Sequence, residues 1–110
     1  MKIIPLAPDP EAGCPVTHCL SKIGGKWKPV ILFCICNGIN RFGALQRAVP
    51  NITKQMLTKQ LRELEADGLI SRTVFPEVPP RVDYALTERG LSVLPVIEAM
   101  KAWGEADKRR

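Results

Sequence analysis

The sequence predicts a mainly α-helical domain that carries one small β-hairpin, and three observations lead to this fold class. Apolar residues recur at helical spacing in several segments. Two segments rich in apolar and β-branched residues flank a proline-rich loop in the second half of the chain. Glycine, proline and asparagine separate the segments where helices would end. A length of 110 residues fits one domain, which we expect at residues 14–110 after an irregular lead-in at residues 1–13.

The first two helices are predicted over residues 15–23 and about 26–37. Pro15 suits the first turn of a helix, which makes Cys14 its N-cap, and Gly24 follows its last residue. The apolar residues of the second helix follow the i, i+3, i+4, i+7 rule, and we expect them to face inward. They are Trp27, Val30, Ile31, Cys34 and Ile35.

A short third helix is predicted over residues 42–48, and a fourth over residues 54–67. Thr53 is a good N-cap for the fourth helix, and Gly68 suits its end. The side chains opposite its apolar stripe are hydrogen-bond donors or mixed donors and acceptors, without a carboxylate. The stripe consists of Leu57, Leu61 and Leu64, and the opposite face of Gln55, Thr58, Lys59 and Arg62.

Two strands and a long helix complete the chain. The strands are predicted over residues 69–75 and 81–86, joined by the stiff, projecting loop 76–80. The last helix is predicted over residues 87–108, with Pro95 bending it or removing one backbone bond. Its apolar residues exceed the needs of a small core, so we expect a dimer seam, with an intramolecular cover helix as the alternative. The seam residues are Leu91, Leu94, Ile97, Met100 and Trp103.

Three helices followed by a β-hairpin form the winged helix-turn-helix arrangement, in which the helix before the hairpin enters the major groove of DNA. Glutamine suits adenine and lysine suits guanine, so Gln55, Thr58 and Lys59 are the expected base or near-base contacts. Thr53 and Arg62 are the expected phosphate contacts of the same helix. The alternative is a plain solvated helix face. The full recognition set is Thr53, Lys54, Gln55, Thr58, Lys59 and Arg62.

Basic residues are concentrated in one part of the chain. Residues 12–62 hold eight lysines and arginines and no acidic residue, whereas residues 63–110 hold seven basic and nine acidic residues. A long stretch of one sign predicts an anionic partner, with chance clustering on a solvated surface as the alternative. Together with the order of helices, this distribution favours double-stranded DNA as the partner.

Further DNA contacts are expected outside the recognition helix. Arg81 follows two prolines of the hairpin loop, and narrow minor grooves attract arginine, so it is the expected wing contact. A packing role or a salt bridge with Asp83 or Glu77 is the alternative. The expected DNA-backbone contacts lie at the starts of the second and third helices. They are Lys26, Lys28 and Arg41.

The chain carries, in this order, Cys14-Pro15-Val16, Gly24-Gly25-Lys26-Trp27, Arg41-Phe42, residues 57–69, residues 77–84 and Leu86-Thr87. In their order and spacing these motifs resemble the HxlR-type family of winged helix-turn-helix bacterial transcription regulators. The resemblance covers about residues 14–104 and implies a homodimer built from the terminal helices, bound to a two-fold symmetric operator. In several members a cysteine in the Cys-Pro-Val position senses oxidants or electrophiles, and Cys14 matches that position.

The four cysteines have different expected roles. A thiol at a helix N-terminus has a stabilised thiolate, so Cys14 is a candidate redox sensor, with an inert capping or interface thiol as the alternative. Cys34 is the expected core residue. Cys14, His18 and Cys19 could form a metal site together with Cys34 or Cys36. Their spacing is not the paired-cysteine spacing of structural zinc sites, so we expect no metal or other cofactor.

Other function classes are disfavoured by what the sequence holds. Its longest apolar stretch, residues 29–36, falls short of the about 20 residues of a membrane span, and the first residues do not match a secretory signal. We therefore expect a cytoplasmic protein. No catalytic constellation is recognisable, so we do not expect an enzyme. The competing hypothesis is a winged-helix adaptor that binds an acidic protein without sequence-specific DNA binding.

Overall fold

The structure is a computed structural model that describes residues 13–109 of the chain. It confirms the predicted fold class of five helices and one antiparallel hairpin. Most of the predicted lead-in, residues 1–12, lies outside the described residues. The elements are α1 (Pro15–Ile23), α2 (Lys28–Cys36), α3 (Phe42–Ala48), α4 (Lys54–Ala66), β1 (Ile70–Phe75), β2 (Arg81–Leu86) and α5 (Glu88–Lys108).

Helix α2 begins two residues later than predicted. Pro29 lies at its second position, where a missing N–H costs nothing because first-turn N–H groups have no partner within a helix. The proline ring would clash with the carbonyl group four residues upstream if the helix continued backwards. Residues 25–27 therefore form a turn, with Gly25 at φ 91°.

Helices α3 and α4 form the helix-turn-helix unit. Asn51 in the turn between them has φ 65°, a conformation that asparagine tolerates better than most residues. The hydroxyl oxygen of Thr53 accepts a hydrogen bond from the N–H of Met56 at 3.0 Å, which confirms the predicted N-cap. The predicted stripe of α4 is also confirmed, since Leu57, Leu61 and Leu64 are buried.

The hairpin pairs residues 70–75 with residues 81–86 in antiparallel register, so that Arg72 faces Tyr84 and Phe75 faces Arg81. The N–H of Tyr84 donates to the carbonyl oxygen of Asn40 at 2.9 Å, which attaches β2 to the segment before α3. The hairpin is thus held beside the helix-turn-helix unit.

The C-terminal end of α4 is attached to two other helices. Arg89 of α5 donates to the carbonyl oxygen of Asp67 at 2.6 Å, and the Thr87 hydroxyl donates to the carbonyl oxygen of Gly68 at 2.5 Å. The Lys22 ammonium of α1 lies 3.4 Å from the Asp67 carboxylate. We call this group of contacts the α4 joint.

One hydrophobic core lies between the helices and the base of the hairpin. Helix α5 runs through Pro95 and adds Ile97 to this core. Val30, expected inside, is instead exposed, and Leu32 takes an inward position in α2. None of the helices in residues 13–109 has the length and apolar content of a bilayer span. The core residues are Ile23, Ile31, Leu32, Cys34, Ile35, Leu45, Val49, Ile52, Leu57, Leu61, Leu64, Leu69, Ile70 and Ile97.

Candidate nucleic-acid interface

The outer face of α4 brings five of the six predicted recognition residues together. Their side chains line one open groove of about 510 Å³, which also includes Glu63 at its far end. The Thr58 hydroxyl donates to the carbonyl oxygen of Lys54 at 2.9 Å, so its oxygen remains available as an acceptor. The five residues are Lys54, Gln55, Thr58, Lys59 and Arg62.

The sixth residue, Thr53, lies at the start of the same helix. Its hydroxyl oxygen caps the helix by accepting from Met56, while its hydroxyl proton stays free to donate. A phosphate contact through this proton is compatible with the cap, and it remains a prediction.

Lys28 departs from its expected position. Its ammonium lies 2.7 Å from the Glu63 carboxylate of α4, and only 12% of its side chain is exposed. The hydrogen bond from Lys28 is the main cause that holds the pKa of Glu63 below its usual value. Lys28 therefore connects α2 to α4, and its charge is compensated within the fold.

The two other expected backbone contacts remain on the surface. Lys26 is exposed, with its ammonium 4.8 Å from the centre of the Trp27 ring. Arg41 is exposed as well, although its guanidinium lies 3.6 Å from the Asp83 carboxylate. Asp83 is half-buried and also faces Arg81, so it keeps a basic partner if Arg41 turns towards a phosphate.

Arg81 is held inside the base of the wing instead of projecting from it. Its guanidinium lies 4.0 Å from the centre of the Phe75 ring, its cross-strand partner. It also lies 3.5 Å from Glu77 and 3.4 Å from Asp83, the two acids named in the salt-bridge alternative. The geometry therefore matches that alternative better than a free minor-groove contact. The exposed wing loop consists of residues 76–80.

Cys14 is half-buried at the N-cap of α1. The backbone N–H of Thr17, followed by its hydroxyl, holds the pKa of the thiol below its usual value. Cys14 makes no side-chain capping hydrogen bond, so the N–H and hydroxyl of Thr17 stabilise the thiolate by electrostatic attraction at the helix start. This environment favours the reactive thiolate.

The remaining cysteines differ in burial. Cys34 is buried in the core as predicted, and burial raises the pKa of its thiol. Cys36 is exposed, and Cys19 packs partly against the core. Within residues 13–109, no group of three or more His, Cys, Asp or Glu side chains is placed to hold a metal ion.

The predicted seam residues of α5 do not share one face. A step of three residues turns about 60° short of a full circle, so a stripe with this spacing winds around the helix. Ile97, with 4% exposure, belongs to the core of its own protomer, and this part of the prediction is wrong. Leu94 is half-buried, and Leu91 is exposed on another side. The exposed apolar residues that share a side are Val96, Met100 and Trp103.

The sequence analysis did not identify Arg72, Glu65 or Tyr84 as site residues. With Arg62 and Thr58 they surround a cavity of about 300 Å³ between α4 and the hairpin. The feature that could have identified Arg72 and Tyr84 from the sequence is the strand register, which places them opposite each other. The predicted loop, residues 76–80, already implies this register, but the approach of the hairpin to Arg62 and Thr58 of α4 depends on tertiary packing.

The chain has close relatives among proteins that regulate transcription. The family model described as HxlR-like helix-turn-helix matches residues 22–110. An HTH-type transcriptional regulator of Methanothermobacter thermautotrophicus is 50% identical over 97 residues, which cover 88% of this chain and 74% of the relative.

Two solved structures share the fold. The redox regulator HypR in its oxidised form matches with a TM-score of 0.81 and 49% identity, over 84% of this chain and 96% of that one. The reduced form of the transcriptional regulator YodB from Bacillus subtilis matches with a TM-score of 0.71 and 34% identity, over 84% of this chain and 91% of that one. The similarity thus extends over most of the chain in both sequence and structure.

Proposed function

The chain belongs to the HxlR-like helix-turn-helix family and is a DNA-binding transcription regulator, and we propose that it reads a two-fold symmetric site as a homodimer. The observation that carries this proposal is the outer face of α4. From residue 54 to residue 62 the helix holds no carboxylate, and its polar side chains project into one open groove. A surface of this kind suits the phosphates and base edges of a major groove.

The residues of this face divide into two roles. Gln55 and Lys59 are exposed and carry side chains that suit adenine and guanine, so they read bases. Lys54 and Arg62 contact phosphates, as Lys26 and Arg41 do from neighbouring elements. The burial of Lys28 beside Glu63 and the packing of Arg81 support their exclusion from this set.

The exposed apolar side of α5 supports the homodimer. Trp103, with 71% exposure, Val96 and Met100 leave apolar surface on one side of the helix. Exposed apolar groups gathered on one side favour a protein partner, and a second copy supplies the same surface.

Cys14 is the proposed switch. Its lowered pKa increases the thiolate fraction at neutral pH, and the thiolate is the form that attacks oxidants and electrophiles. The similarity to the redox regulator HypR adds support for a thiol response in this chain. Cys14 is the N-cap of α1, so its modification would affect the start of this helix. The same helix contacts the α4 joint through Lys22, and it therefore connects Cys14 to α4.

The test is selection of binding sites from a random duplex pool with the wild-type protein and Lys59→Ala. We expect a two-fold symmetric motif for the wild type and a loss of about 1–3 kcal/mol of discrimination at one position of each half-site for the variant. Lys101→Ala on the solvent side of α5 is the matched control, and it should recover the wild-type motif.

Two outcomes would contradict the proposal. Recovery of no enriched motif by the wild type would favour the acidic-protein adaptor. An unchanged motif for Lys59→Ala would show that the outer face of α4 does not read bases.

A further inference from the structure

The cavity between α4 and the hairpin is lined by charged and aromatic residues, and base reading by the outer face of α4 does not account for all of them. It encloses about 300 Å³ and is lined by the aromatic rings of Phe42 and Tyr84 and by charged groups of α4 and β1. Two of its charged groups are arginines, and one is a carboxylate. They are Arg62, Arg72 and Glu65.

The two arginines retain capacity for an anion. Arg62 is exposed and forms no ion pair with any residue from 13 to 109. Arg72 lies 3.5 Å from the Glu65 carboxylate through its Nε atom, and 47% of its side chain is exposed. The cavity therefore carries one positive charge in excess.

Tyr84 supplies a neutral donor. Burial raises the pKa of its hydroxyl, which stays protonated at physiological pH. Arg72, Glu65 and Arg62 all lie close enough to influence this hydroxyl electrostatically. Two guanidinium groups and a hydroxyl proton match the acceptor oxygens of a phosphate.

The position of the cavity indicates which phosphate it would hold. In the proposed complex α4 enters the major groove, and the hairpin approaches the adjacent groove. A sugar–phosphate strand separates neighbouring grooves of a duplex, so it would pass between α4 and the hairpin, the two elements that line the cavity.

We infer that this cavity binds a backbone phosphodiester of DNA through Arg62, Arg72 and Tyr84. This inference rests on the proposed function and adds a site that fixes how far the hairpin stands from the recognition helix on the duplex. The Glu65 carboxylate competes with the phosphate for Arg72 and repels it, so Glu65 lowers the affinity of this site.

The experiment compares Arg72→Gln with Lys101→Gln by fluorescence anisotropy on the selected duplex, between about 50 and about 200 mM salt. Lys101 is a matched control, because it is an exposed base paired with an acid, Glu105, at 2.9 Å on α5. We expect Arg72→Gln to weaken all duplexes alike. Affinity should fall between the two salt concentrations by a factor that is about threefold smaller for Arg72→Gln than for the wild type. This is the change expected when one phosphate contact is lost.

Glu65→Gln provides an independent test, because it should raise DNA affinity whereas Arg72→Gln should lower it. Removal of the carboxylate charge should raise DNA affinity by roughly threefold, while Glu105→Gln, its matched control, should leave affinity unchanged. Tyr84→Phe should lower affinity with an unaltered salt slope, because the hydroxyl is neutral. This variant keeps the test valid if Arg72→Gln fails to fold, which its circular dichroism spectrum would reveal.

The results that would contradict the phosphate site alone differ from those that would also contradict the proposed function. If Arg72→Gln and Tyr84→Phe bind like the wild type while Lys59→Ala alters site choice, the proposed function stands and the phosphate site is wrong. Weaker binding by Glu65→Gln would also overturn the site. If the wild type prefers no DNA sequence, the proposed function and the phosphate site are both wrong.

Discussion

Cys14 shows how local backbone geometry sets the reactivity of a side chain. Its sulfur faces the N–H and hydroxyl of Thr17 at the start of α1, and the pKa of the thiol is lowered. Cys34, in the core, has a pKa raised by burial. The same side chain is thus activated at one site and protected at the other, because one lies at a helix start and the other among apolar groups.

We predict that alkylation of Cys14 has a pH midpoint below the usual value for a cysteine thiol. Thr17→Val removes one of the two main stabilising groups, so the midpoint should move upwards. The measurement is iodoacetamide labelling at a series of pH values with mass spectrometry of the Cys14 peptide. Ser21→Ala, which removes a hydroxyl bonded to His18, should leave the midpoint in place. An equal midpoint in Thr17→Val and wild type would contradict the prediction.

At the scale of elements, the sequence predicted most bounds because they depend on nearby residues. Pro15 and Gly24 delimit α1, and Thr53 caps α4, so those bounds required no knowledge of packing. The positions of Lys28 and Ile97 depend on contacts with elements distant in sequence, Glu63 in one case and the shared core in the other. Such contacts form only when the chain is folded, so residue type and spacing did not predict them.

The contact between α5 and the start of β1 gives a prediction on stability. A Cβ atom on Gly90 would lie 2.1 Å from the carbonyl oxygen of Leu69, whereas one on Gly104 would meet nothing within 4 Å. Gly90→Ala should therefore lower the free energy of unfolding by about 1–3 kcal/mol. Gly104→Ala should raise it by up to about 1 kcal/mol, because alanine favours the helix.

Urea unfolding of both variants, followed by circular dichroism, checks this pair. If Gly90→Ala raised the free energy of unfolding as Gly104→Ala is expected to do, the close approach at Gly90 would relax without cost.

For the whole molecule, charge and apolar surface are separated. The basic segment 12–62 provides the outer face of α4, while the exposed apolar residues Val96, Met100 and Trp103 lie on α5. In the proposed complex, DNA and a second protomer would therefore meet different surfaces, and both could be bound at once. The sequence predicted the basic segment from charge and an apolar seam on the last helix from spacing, but it did not identify the side of α5 that stays exposed.

Trp103→Glu tests the proposed dimer. A charge at this position would be buried in the seam, so we expect sedimentation velocity to give the mass of a monomer. Ala102→Glu is the matched control, because residue 102 is exposed about 100° further around the helix. A dimeric Trp103→Glu would exclude this side of α5 from the interface.

The α4 joint has a consequence for how this regulator can diverge. Through Asp67, Gly68 and Arg89 it holds α4 by the end that points away from the bases in the proposed complex. Substitutions on the outer face can therefore change the preferred bases while the joint keeps the direction of the helix. Duplicated copies could acquire new operator sequences and still require the same distance between half-sites.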